Sequence, residues 1–87
     1  MTLPTVHMNG TSAQALYDGA EAAYNALQEA QRLLCEAAPN GRDYYPQGPQ
    51  AFYGAQDEHF NRLQRLQSVM AELEGLMGHL SNAMVKR

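Results

Sequence analysis

Two stretches of the chain repeat apolar residues at alternating steps of three and four. In the first, Ala13, Leu16, Ala20, Ala23, Leu27, Ala30, Leu34 and Ala37 keep that spacing. It is the 3.5-residue period of a narrow helical seam rather than a broad 3.6-residue stripe. In the second, His59, Leu63, Leu66, Met70, Leu73, Met77, Leu80 and Met84 do the same, with Phe52 and Gln56 as an upstream extension. Each stretch predicts a long helix. The first seam is rich in alanine, which lets a partner helix approach closely; Tyr17 and Tyr24 flank it. Beside the second seam runs a stripe of small residues, Ala71, Gly75, Gly78 and Asn82. Glycine inside a helix costs about 1 kcal/mol relative to alanine. Two within one turn predict a closely packed backbone, either the first helix or a second copy.

The ends of both patterns carry punctuation. Thr11 and Gln14 have the form of a capping box, which starts the first helix at Thr11. Pro39 disfavours helix in the residue before it, so this helix takes residues 11–38. Residues 39–49 form a connector with Asn40-Gly41 as a turn signal and with Pro46 and Pro49. The second helix takes residues 50–85. Pro49 suits its first turn, Gly48 stands before it as a cap, and the cations Lys86 and Arg87 end it. Residues 1–10 have no helical period, Pro4 breaks them, and Asn9-Gly10 is a turn. They predict an extended arm lying on the helices or on a neighbouring subunit. The fold expected is all-α and a single domain: an antiparallel two-helix hairpin with a Pro/Tyr-rich connector, its second helix longer by one to two turns.

Composition adds a partner. Eighty-seven residues allow only a small core, and a chain of this size needs a staple or an assembly. The single cysteine, Cys35, closes no internal disulfide, and no Cys/His cluster has zinc spacing. Tyr17, Tyr24, Phe60, Val69 and Leu76 lie off the seams and need cover. A helical-bundle homo-oligomer is therefore expected, a four-helix dimer being its simplest form. The net charge of −3 argues against duplex nucleic acid. The first residues lack a basic, apolar export signal, and no apolar run suits a membrane span. The expected location is a cytoplasm.

The search for chemistry turns up no persuasive catalytic set. His7, His59 and His79 are far apart, and no hydrolase, metalloprotease or phosphate-loop motif occurs. Asp57, Glu58 and His59 are consecutive, so on a helix they point about 100° apart. His59 reads as a polar layer of the seam, and Cys35 as a small filler in an apolar surrounding. An enzyme, a cofactor and a metal are not expected. The connector is the better candidate. Arg42 offers a planar fork for phosphate or carboxylate, Tyr44, Tyr45 and Tyr53 offer stacking faces and hydroxyls, and Asn40 and Gln47 add amides. Arg62 and Arg65 add positive charge near the same end. Together they suit a flat anionic ligand such as a nucleotide. In the plainer reading Arg42 pairs with Asp43 and the tyrosines close the end of the bundle.

The segment V-H-M-N-G-T-S at residues 6–12, with A-A-P-N-G-R-D-Y-Y at residues 37–45, resembles small uncharacterised proteins of tailed bacteriophages and prophages. The resemblance spans nearly the whole chain and brings a source but no established activity. It implies that His7, Asn9, Gly10, Gly41, Arg42, Asp43, Tyr44 and Tyr45 occupy motif positions. Turn geometry explains Asn9 and Gly10; Arg42, Asp43, Tyr44 and Tyr45 are harder to explain by folding alone. The expectation is a phage accessory protein in the host cytoplasm. It would sequester a small nucleotide-like signal of host defence, with His7 and Asn9 of the arm closing the pocket across a subunit boundary. The alternative is a protein–protein interaction module that inhibits a host protein or assists phage assembly.

Overall fold

The computed structural model describes residues 1–85, and every regular element among them is helical. Helix α1 spans Ala13–Glu36, a one-turn α2 spans Gly41–Tyr44, a 3-10 turn covers Tyr45–Gln47, and α3 spans Pro49–Val85. The cations Lys86 and Arg87, expected at the helix end, lie outside the described residues.

The first helix starts later than its capping-box signature suggests. Ser12, not Thr11, is the cap: its extended backbone places Oγ to accept the amide hydrogen of Ala15 at 3.1 Å. Gln14 does not reach back; its side-chain amide donates forward to Asp18. At the far end the amide of Ala37 turns inward to the carbonyls of Leu33 and Leu34, closing the helix before Pro39. With 24 residues in α1 and 37 in α3, the length difference exceeds the one to two turns expected.

The two long helices meet in reverse order. The Tyr24 hydroxyl donates to the Glu74 carboxylate, Gln31 Nε2 donates to Gln67 Oε1 at 2.9 Å, and His59 Nε2 meets the Leu34 carbonyl at 2.7 Å. On α3 the seam behaves as its period predicts: His59, Met70 and Leu80 are buried, and Leu63, Leu66, Leu73, Met77 and Met84 half-buried.

On α1 the seam is displaced. Ala23, Ala30 and Ala37 are exposed, while Tyr17, Tyr24 and Gln31 are half-buried. The working positions are Ala13, Tyr17, Ala20, Tyr24, Leu27, Gln31 and Leu34, which have the same 3.5-residue period. The tyrosines expected to flank the seam are part of it. The Tyr24 hydroxyl and the Gln31 amide reach partners on α3, which alanine is too short to do.

Two other expectations change, and of the two places expected for the arm the structure shows the helices. Cys35 is exposed rather than buried. Gly75 faces the arm, not α1: a methyl built on it would lie 3.3 Å from the Met1 side chain, and one built on Gly78 would meet nothing within 4 Å. The arm lies on α3 of its own chain, where His79 Nε2 donates to the Pro4 carbonyl at 2.8 Å.

The result is a rod of 62 × 20 × 18 Å with a radius of gyration of 18.9 Å. A compact chain of this length would have about 12 Å. Its accessible surface is 6403 Å², whereas a compact monomer of 9.6 kDa exposes about 5,100 Å². Met70 and Leu80 are the only large apolar side chains fully buried among the described residues.

Candidate ligand-binding site at the connector

The connector is folded by local hydrogen bonds. Asn40 caps α2, its side-chain oxygen accepting from the Arg42 amide at 3.0 Å. Pro46 sits in the 3-10 turn, where its fixed φ is compatible. Gly48 then reverses the chain at φ 96 and ψ 165, a region open in practice to glycine alone. Its carbonyl accepts from Ala51 and opens α3.

This path folds the connector back against the first turn of α3. The Tyr44 and Phe52 rings lie 6.3 Å apart at 41°, and Phe52 and Tyr53 lie 6.1 Å apart at 42°. Between them Gly41, Tyr44, Tyr45, Gly48, Pro49 and Phe52 line a hollow of about 230 Å³. Its walls are aromatic faces, aliphatic ring and backbone. Tyr45 stands 85% exposed at its edge.

Arg42 and Asp43 share the α2 turn with Tyr44, both exposed. The guanidinium makes no ion pair or hydrogen bond among the described residues. The pairing of Arg42 with Asp43 that would make the motif purely structural is therefore not formed. Arg62 and Arg65 lie elsewhere, in a wide, shallow depression with Asp57, Glu58 and Asn61. Arg62 is engaged there by Glu58 at 3.8 Å, and its Nη1 stands 3.5 Å from His59 Nδ1, a long contact.

His7 and Asn9 are not near the connector of their own chain. His7 accepts the Gly10 amide on its carbonyl, and its ring covers Gly10 so closely that a methyl there would lie 2.9 Å away. The arm docks at Gly75 and His79, while the hollow lies at Phe52. At about 1.5 Å per residue the two are some 35 Å apart along α3. One chain thus brings Tyr44 and Tyr45 into a hollow, with Arg42 and Asp43 on the same turn and Tyr53 beside Phe52. It leaves the arm and the Arg62–Arg65 pair apart from it. Phe52 is the wall residue that sequence reasoning assigned only to the helical seam. Its place at the upstream end of that seam, next to the connector, was the available signal.

No group of His, Cys, Asp and Glu side chains among the described residues is placed to hold a metal ion, and no described helix is long and apolar enough to cross a membrane. Compared with protein-family models, curated proteins and solved structures, the chain matches none.

Proposed function

We propose that this chain is a helical hairpin that assembles into a homo-oligomeric bundle. As a non-catalytic phage accessory protein in the host cytoplasm, it binds and sequesters a small nucleotide-like anion of host defence signalling. The observation carrying this reading is the aromatic hollow with Arg42 on the same α2 turn as its wall residues Gly41 and Tyr44, a guanidinium without an ion pair among the described residues. Flat rings supply stacking faces for a base, and a free planar cation supplies the charge for a phosphate. At about 230 Å³ the hollow is smaller than the roughly 300–1,000 Å³ of complete small-molecule sites. One chain supplies part of a site, and assembly with a second completes it, which also supplies a role for the distant His7 and Asn9.

The test is native mass spectrometry of protein purified gently from cells with an active nucleotide-based defence. An oligomer carrying a few hundred daltons of extra mass per site, on the order of one nucleotide-sized ligand, is the expected result. Arg42→Ala should lose that mass while keeping its helical circular dichroism and melting curve. A ligand-free wild-type oligomer, or an Arg42→Ala protein that still carries the ligand, would overturn the assignment.

A protein–protein interaction module, inhibiting a host protein or assisting phage assembly, is the second reading. It draws on Tyr53 at 55% and Phe60 at 62% exposure, next to a groove lined by Ala38, Pro39, His59, Phe60 and Leu63. It predicts a stable complex that survives Arg42→Ala and is lost on Phe60→Ala.

A further inference from the structure

Two glycines line the hollow at the connector, and the backbone explains one of them. Gly48 has a φ of 96, which favours glycine. Gly41 has no positive φ, and it opens α2, where alanine is the better helix former. The nearest atoms that a methyl built on Gly41 would meet belong to the Phe52 ring, at 3.8, 3.9 and 4.0 Å. These are ordinary van der Waals distances, so the fold has room for a side chain at 41. The cost would fall on the hollow, because Gly41 and Phe52 both line it and the methyl would stand in the space between them. Gly19, Gly54 and Gly78 differ: a methyl on any of them meets nothing within 4 Å, and none lines the hollow.

The walls also select which part of a ligand enters. None of the lining residues is charged, and Arg42 and Asp43, on the same turn, are not among them. A phosphate buried there would lack a charged partner, which is costly. A planar ring carries no such penalty and meets aromatic faces. Apart from the tyrosine hydroxyls no lining side chain carries a polar atom, so stacking outweighs base identity and adenine is a fair probe ring.

We propose that the hollow seats the base of the nucleotide-like ligand with its edge at Gly41, the phosphate staying outside, and that the absent side chain at 41 sets the room for that base. The inference rests on the ligand reading above. It adds which part of the ligand the hollow holds and which residue limits its size.

The experiment titrates the full chain, isotopically labelled, with adenosine monophosphate and in parallel with ribose 5-phosphate, which has the sugar and phosphate without the base. In the wild-type complex the Gly41 α-protons should show nuclear Overhauser contacts to the adenine ring protons. Ribose 5-phosphate should bind on the order of tenfold more weakly, as the loss of one base–aromatic stack implies. Gly41→Ala should keep the wild-type circular dichroism and melting temperature. It should weaken adenosine monophosphate binding on the order of tenfold, the effect of one methyl-sized change in a pocket, and leave ribose 5-phosphate binding unchanged. Arg42→Ala should weaken both. The Overhauser contact is read on wild type, so it decides the matter even where Gly41→Ala fails to fold. Contacts from Gly41 to the ribose alone, or adenosine monophosphate binding that survives Gly41→Ala but is lost in Arg42→Ala, would overturn this seating and leave the ligand reading standing. A wild-type chain that binds neither compound at millimolar concentration would overturn both.

Discussion

The Nε2 of His59 lies 2.7 Å from the carbonyl oxygen of Leu34, and this one bond joins the last turn of α1 to α3. Leu34 is among the last four carbonyls of its helix, and besides His59 it accepts the Ala37 amide at 3.1 Å. A carbonyl only accepts, so the bond holds the proton on Nε2 and leaves Nδ1 toward Arg62. His59 is 6% exposed, and the donor sits where water is largely excluded. His59→Phe keeps the ring volume and removes the donor. It should cost about 1–3 kcal/mol, read as a lower urea midpoint at fixed protein concentration. A midpoint equal to wild type would show that the bond adds no stability.

The Tyr24–Glu74 bond gives the fold an alkaline limit. Donation to the carboxylate, with burial and the negative charge of Glu74 adding to it, raises the Tyr24 phenol above its ordinary 10.0. A raised folded pKa means the stabilisation is complete below the unfolded value and is lost as pH rises through the folded one. Wild type should therefore lose stability above about pH 10 more steeply than Tyr24→Phe, which has no proton to lose. Parallel thermal melts between pH 8 and 11 test this; curves that stay parallel throughout would refute the coupling.

Gly48 should tolerate no side chain. Its φ of 96 with ψ of 165 is costly for any L-residue, and Gly48→Ala should destabilise by about 1–3 kcal/mol. The strain is conformational, since a methyl there would touch nothing within 4 Å. Distortion should spread to the hollow, and the tyrosine fluorescence of the connector should change with the melt.

Gly78 predicts the opposite sign. It lies within α3 with open space around it, so Gly78→Ala should stabilise by about 1 kcal/mol, the helix-propensity difference alone. A loss of stability or of assembly would reveal a second copy packed against this side of α3.

The arm is held to α3 by little, and its release should be measurable. His79→Ala removes the donor to the Pro4 carbonyl. It should speed hydrogen exchange and proteolysis within residues 1–10 with little change in the global melt, because local openings near a terminus cost far less than unfolding. Unaltered protection would place the hold elsewhere, at Met1 on Gly75.

Much of this architecture is legible in the residues alone. Pro39, Pro49 and the 3.5-residue repeats are local signals, and they mark two long helices and the break between them because backbone sterics and side-chain period act within a few residues. The α3 seam is equally plain: its large residues, Leu63, Leu66, Met70, Leu73, Met77 and Leu80, form a single unbroken series. The candidate site is half legible. Arg42, Asp43, Tyr44 and Tyr45 stand out as a motif, but that Phe52 would wall the hollow, or that the Arg62–Arg65 pair would lie apart from it, depends on how the connector folds back at Gly48.

The register of α1 was left for tertiary structure to decide. Ala23 and Ala30 or Tyr24 and Gln31 complete the same 3.5-residue repeat, and apolarity favours the alanines. The partner helix reverses that choice. Glu74 and Gln67 stand opposite Tyr24 and Gln31, so the longer side chains satisfy their polar ends on α3. The alanines, with nothing to reach for, turn to the outside. Periodicity determines that a helix has a buried face; which of two equally periodic faces is buried depends on what waits across the interface.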